Sequence, residues 1–262
     1  MHRRRLLTAL VGMPLMLVLA YRGGWAWFGA VLFLHLLAAT EARRLLRGLT
    51  WPVPAATLYG GAVLTELGSY LRGEEGYYLA GLAVFVLFVA CFLVFYPRYR
   101  LGHLAGAFWI TAYLGLFSFL ILLRQTYDWA FLFAVLLVTW ANDTAAYYVG
   151  RKCGRHRLAP QISPQKTWEG AVAGLLAAGV VGAAVAYSGE RRWEIGLGLA
   201  LLVAAVGQAG DLWESALKRE AGIKDTGRLL PGHGGILDRF DSLLFAAPLA
   251  YYLARWLGPL VG

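Results

Sequence analysis

Long uncharged apolar runs, separated by short polar breaks, set the pattern of this chain. Residues 77–96 hold twenty positions without one charged side chain. At 1.5 Å per helical residue, about 20 such residues cross a hydrocarbon layer of about 30 Å. Similar runs recur near residues 6–21, 25–40, 53–71, 101–123, 129–149, 171–188, 194–212 and 242–260, so the pattern predicts nine transmembrane helices. The break at residues 21–24 is so short that the first two helices should form a tight hairpin, with Pro14 inside the first. Gly170, Gly174, Ala178, Gly182 and Ala186 recur at four-residue spacing, a face of small side chains that lets another helix approach closely and leaves a homodimer open.

Composition agrees with this pattern and narrows it. The 262 residues are 59% hydrophobic and 15% charged with a mean hydropathy of +0.58, against about 25% charged in an ordinary soluble domain. A soluble globular enzyme is excluded, and nucleic-acid binding becomes a poor reading of the +9 charge. The distribution of that charge carries more than its sum. With a cytoplasmic N-terminus, eighteen Lys and Arg fall in inner segments and five in outer turns, the bias of the positive-inside rule. The triplet Arg3, Arg4 and Arg5 before an apolar stretch also resembles a signal peptide, but an uncleaved first helix fits the topology and no soluble domain follows it. Two cysteines, Cys91 and Cys153, offer no disulfide framework. The expected fold is therefore all-α: one integrated, polytopic membrane domain with N-terminal helices over 1–130 and a C-terminal catalytic region over 131–262. Two cytoplasmic loops, 150–170 and 211–241, hold most of its ionisable groups.

The second loop is the denser. Asp211, Asp225, Asp238 and Asp241 supply hard oxygen ligands of the kind Mg²⁺ prefers, while Lys218, Arg219, Lys224, Arg228 and Arg239 supply charge for phosphate oxygens. Gly232, Gly234 and Gly235 around His233 allow backbone N–H groups to approach an anion. His233 is open to three roles: proton shuttle, phosphate donor or turn residue. Acids and bases pairing on a solvated face would explain any one of these residues, but not carboxylate, cation and glycine gathered beside apolar spans.

In the first loop, Asn142 and Asp143 lie inside the sixth apolar run, where a carboxylate costs about 2.5 to 3.5 kcal/mol at a helix centre and needs partners. Ser163, Lys166, Thr167 and Glu169 precede the seventh run, so they could hold an anion at a helix start, or Ser163 or Thr167 could cap it. Lys166 is not explained by capping. Glu66 reads as a buried hydrogen-bonding residue and His103 as an interfacial one. No GxxxxGK[ST], HExxH, paired CxxC or GxSxG string occurs, which argues against a P-loop, zinc proteolysis, a structural zinc site and a serine hydrolase.

The run S-x-L-K-R-x4-K-D-x-G-x2-L-P-x-H-G-G-I-x-D-R-F-D at residues 215–241 resembles the signature of phosphatidate cytidylyltransferases, also called CDP-diglyceride synthases. GDLWES, NDTAAYYVG and SPQKTWEG resemble further segments of that family, so the likeness covers residues 140–250; Gln165 departs from it, where a second lysine is more usual. The resemblance implies transfer of CMP from CTP to phosphatidic acid with Mg²⁺ and room for a second cation. It would make Asp211 and Asp238 metal ligands, with Asp143, Asp225 and Asp241 as supporting acids. Lys218, Arg219, Lys224, Arg239 and Lys166 would neutralise the nucleotide and the lipid headgroup, with His233, Asn142, Ser163, Thr167, Ser215, Gly234 and Gly235 completing the site. The enzyme would sit in the bacterial inner membrane, its site facing the cytoplasm. An ion-coupled transporter is the rival from another class, but it predicts polar residues spread through the bilayer's depth. A CDP-alcohol phosphotransferase would need a DGxxARx8GxxxDxxxD pattern, which is missing.

Overall fold

The computed structural model describes residues 2–49, 51, 53–227 and 234–261, with backbone alone for 2–11 and 259–261. Its elements run α1 (His2–Arg22), α2 (Gly24–Gly48), α3 (Ala55–Phe95), α4 (Leu101–Leu114), α5 (Ser118–Thr126), α6 (Trp129–Cys153), β1 (Arg157–Ala159), β2 (Ser163–Thr167), α7 (Trp168–Ser188), α8 (Trp193–Glu220) and α9 (Leu237–Val261). Among the described residues, six helices are long and apolar enough to cross a membrane: α2, α3, the continuous stretch Leu101–Thr126, α6, α7 and α8. The chain is a multi-pass, helical membrane protein. It is not purely α, however. Residues expected to form a plain loop make a two-stranded antiparallel sheet, with Arg157 opposite Thr167 and Ala159 opposite Ser163.

Two compact units divide the chain, Met1–Trp129 with Lys218–Phe240, and Ala130–Leu217 with Asp241–Gly262. In the first, α1 gives way to α2 at Gly23 and Gly24, whose φ of 65° and 56° suit glycine, and the tight turn expected there is present. Arg124 of α5 donates from Nε to the Ala20 carbonyl (2.7 Å) and from Nη2 to that of Tyr21 (3.1 Å), meeting acceptors that the end of α1 leaves open. The expected runs 53–71 and 77–96 are the two arms of α3, which reverses at Gly73 (φ 61°, ψ −140°). Gly68 packs on Gly76 and Ala80, and Gly61 on Val84, so the arms are antiparallel.

A Cβ at Gly76 would overlap the Gly68 carbonyl, and no rotamer change relieves a clash with backbone. Gly76→Val should therefore cost the upper end of the roughly 1 to 3 kcal/mol of overpacking or more. A thermal unfolding midpoint in detergent should fall by several degrees; an unchanged midpoint would contradict the packing.

The fifth expected span is interrupted by a 3₁₀ turn at Gly115–Phe117 between α4 and α5. Phe117 and residues 119–123 of this stretch are buried. Beside it, His35 Nδ1 of α2 lies 2.7 Å from Glu66 Oε1 of α3, both side chains buried, with the His35 ring stacked on Phe117. Glu66 is thus hydrogen-bonded, as its sequence position suggested, and His35 is the partner.

In the second unit the small-residue face of α7 is used within the chain. Gly170 meets the Ala146 carbonyl and Gly150 of α6, Gly174 meets Asn142 and Gln208, and Gly182 meets Gly196 and Ala200 of α8. Close backbone approach of this kind is what small residues permit. Because α6 and α8 already occupy the stripe, it offers no face to a second copy.

Candidate active site

The polar residues singled out along the sequence fall into two groups, one in each unit. In the second unit, α6, the β hairpin, α7 and α8 enclose a cavity of about 720 Å³. Asn142, Asp143, Ser163, Lys166, Thr167 and Asp211 all line it, together with Arg151, Arg157 and Gln208. A chain of amides orders the first of these: Gln208 Nε2 donates to Asn142 Oδ1 (2.7 Å) and to the Ala171 carbonyl (3.0 Å), and Asn142 Nδ2 donates to Asp143 Oδ1 (3.0 Å). Asn142 is buried, so Gln208 from α8 supplies the donor its side-chain oxygen needs. Gln208 carried no signal in sequence, since it sits in an otherwise apolar run.

Lys166 reaches the cavity from β2. Its Nζ lies 2.6 Å from Asp211 Oδ2, an ion pair between side chains 26% and 30% exposed, though without hydrogen-bond alignment. Lys166 thus brings a cation, paired with Asp211, to the cavity wall. Asp211 stands on α8, where Ser215 Oγ approaches its other oxygen at 3.4 Å. Thr167 is the N-cap of α7, its hydroxyl accepting from the Gly170 N–H (3.2 Å). Capping was one of the two roles left open for it, and Lys166 stands beside the cap without sharing in it. Glu169 accepts from the backbone N–H of His156 (3.2 Å) and meets its Nδ1 (2.6 Å), bracing the hairpin against the first turn of α7. Asp241 accepts from the Ser242 N–H (2.7 Å).

The first unit holds the other group. Lys218 Nζ donates to Asp238 Oδ1 at 2.7 Å. Asp238 Oδ2 accepts from the Gly235 N–H (2.8 Å) and the Thr226 N–H (3.0 Å), with Thr226 Oγ1 at 3.1 Å. Burial alone would push the Asp238 carboxyl up, but the hydrogen bond and charge of Lys218, with the two N–H donors, hold it below the usual carboxylate value. Gly235 does bring its N–H to an anion, as the glycine run suggested, and in this structure the anion is the Asp238 side chain. Gly234, in the same turn, has φ 84°. Arg219, Lys224, Asp225 and Arg239 are exposed. His233 lies outside the described residues, as do Arg228 and Gly232.

One residue here was missed in sequence. Glu41 of α2 is fully buried. Its Oε1 accepts from the Ile236 N–H (2.9 Å), and its Oε2 accepts from the Leu237 N–H (3.0 Å) and meets Thr226 Oγ1 (3.0 Å). An acid at the end of an apolar run was its only signal, and the neighbouring Arg43, Arg44 and Arg47 masked it.

The pattern of the cytidylyltransferase family matches residues 3–257. The chain is 34% identical over 250 residues to a phosphatidate cytidylyltransferase of Staphylococcus aureus (strain COL), covering 94% of this chain and 96% of the relative. It is 42% identical over 202 residues to one of Brucella suis biovar 1 (strain 1330), covering 74% and 72%.

Proposed function

The chain belongs to the cytidylyltransferase family, and we propose that it transfers CMP from CTP to phosphatidic acid, giving CDP-diacylglycerol and pyrophosphate. The observation that carries this reading is the second unit's cavity, in which Lys166, paired with Asp211 at 2.6 Å, stands with Arg151 and Arg157 among polar side chains. Three cations around a space of that size suit a phosphorylated ligand. A phosphate oxygen of phosphatidic acid forms a bond to the α-phosphorus of CTP, and the bond from that phosphorus to the α,β-bridging oxygen breaks. Pyrophosphate leaves with the electron pair. The attacking oxygen is already anionic, so no protein base is required; what the chain supplies is position and charge. Lys166 holds phosphate oxygens in this scheme, and the chain Gln208, Asn142, Asp143 fixes the carboxylate that faces them. Ser163 and Ser215 add hydroxyls. In the first unit, as a group of their own, Lys218, Arg219, Lys224 and Arg239 are assigned to phosphate charge, and Asp225, Gly234, Gly235 and His233, the last outside the described residues, complete the proposed set.

The donor chemistry admits Mg²⁺. Among the described residues no three His, Cys, Asp or Glu gather to hold a metal, but Mg²⁺ is commonly held by one or two carboxylates plus substrate phosphates. In the second unit Asp211, with Asp143 and Asp241 in support, and in the first unit Asp238 are the carboxylates we assign to Mg²⁺ or a second cation, each of Asp211 and Asp238 now facing a lysine. When bound, the ion would neutralise charge on the triphosphate. The nine apolar runs support nine crossings, and the bias of Lys and Arg between them supports a cytoplasmic N-terminus and a cytoplasm-facing site in the bacterial inner membrane.

Incubation of the purified chain with α-labelled CTP, Mg²⁺ and phosphatidic acid should place label in the lipid extract. No transfer with any divalent metal would refute the reading.

A further inference from the structure

We infer that Glu41 of α2 is a positioning residue for this reaction, acting through Thr226 and the start of α9 to fix the carboxylate of Asp238. The inference rests on the cytidylyltransferase reading, because it takes Asp238 to be a working group. A carboxylate with no exposed surface is costly unless it is fully hydrogen-bonded. Glu41 meets that cost with the N–H groups of Ile236 and Leu237, at the N-terminus of α9, and with the Thr226 hydroxyl. All three partners lie more than 180 residues away in sequence, and all three are neighbours of Asp238. A helix start is where an anion is favoured, and here the anion comes from another helix altogether.

The glycines of this segment make room for it. A Cβ on Gly227 would overlap Glu41 Oε1, and one on Gly235 would overlap Glu41 Oε2 and Thr226 Oγ1. Gly235, which reads in sequence as an anion contact, thus also provides clearance for the Glu41 carboxylate, and Gly227 does the same. Thr226 links the two acids. Its backbone N–H goes to Asp238, and its hydroxyl lies 3.0 Å from Glu41 Oε2 and 3.1 Å from Asp238 Oδ2. A hydroxyl has one proton to donate, so donation to Glu41 leaves a lone pair of Asp238 Oδ2 for another donor or ligand. An ordinary packing role would need only the backbone contacts; the shared hydroxyl ties Glu41 to the orientation of Asp238.

The experiment measures kcat and KM for CTP in label transfer by the full-length purified chain, with the thermal unfolding midpoint recorded for each protein. Glu41→Gln keeps the shape but turns an amide N–H₂ toward groups that donate. Its kcat should fall about 10- to 100-fold, the usual effect of removing a partner that orients a working ligand, while KM for CTP stays within about threefold. Glu41→Asp, which keeps the charge, should recover part of the loss, and Glu41→Gln placed in an Asp238→Asn background should add none. Should Glu41→Gln fail to fold, Thr226→Val and Thr226→Ser replace it: the first removes the shared hydroxyl and should lower kcat, and the second restores it. Unchanged kcat in Glu41→Gln or Thr226→Val overturns the inference, as does a loss that merely follows the unfolded fraction. Absence of transfer by the native chain overturns the functional reading itself, whereas normal native transfer with normal Glu41→Gln turnover overturns only the role of Glu41.

Discussion

Asp238→Asn should insert and fold yet lose CMP transfer, with turnover down at least 10³-fold, or about 4 kcal/mol at 1.36 kcal/mol per decade. Both Asp238 oxygens accept: Oδ1 from Lys218, and Oδ2 from Gly235 and Thr226. An asparagine must turn its N–H₂ toward one side or the other, and each side already presents donors. The substitution also removes the negative charge beside Lys218 in a pair that is nearly buried, 11% and 7% exposed. Breaking a buried pair by removing one partner costs about 3 to 5 kcal/mol in typical cases, so some loss of thermal stability should accompany the loss of turnover. Lipid-extractable label measures turnover, and helix content by circular dichroism in detergent checks the fold. Turnover within threefold of the native chain would remove Asp238 from the chemistry.

The helical, membrane-crossing character was legible because the bilayer imposes it: a run without charges, about 20 residues long, has few other uses. The helix edges were less so. α2 continues to Gly48 through Arg43, Arg44 and Arg47, beyond the apolar run at 25–40, since a helix does not end where hydropathy does. Residues 157–167 pair as strands through backbone bonds across a sequence containing Pro160 and Pro164, where no apolar alternation announces them. The reversal at Gly73 replaced an expected loop of several residues, because one glycine at positive φ turns the chain more sharply than hydropathy predicts.

The site was legible where polarity is costly. Asp143, Lys166, Asp211 and Asp238 stood out because charge beside apolar spans needs partners, and each has one close by. What remained hidden was supplied at long range by residues that look ordinary in their own segments. Gln208 is one polar residue in an apolar helix, and Glu41 is one acid beside three arginines. Their partners lie 37 to 196 positions away, and a periodicity within one helix carries no information about that distance.

Lys166→Met should leave the fold nearly intact and lower kcat/KM for CTP about 100-fold, or about 2.7 kcal/mol. The two effects separate because of where the side chain stands. Lys166 and Asp211 are 26% and 30% exposed, and an ion pair screened to that degree contributes only about 0 to 1 kcal/mol to stability. Methionine has a similar reach and no charge, so it removes the ammonium without emptying the wall of the cavity. Catalysis should feel the change far more strongly, since the Lys166 ammonium lines the cavity beside Asp211, where its charge would meet phosphate oxygens in the reacting complex. Lys166→Arg keeps the charge but exchanges a point ammonium for a planar fork, so it should restore part of the activity. Thr167, the neighbouring cap, provides the contrast: its loss should cost about 1 kcal/mol of stability by weakening the start of α7. Steady-state kinetics with unfolding midpoints for Lys166→Met and Lys166→Arg decide the matter. Native-like kcat/KM in Lys166→Met would show that the cavity takes its anion without this residue.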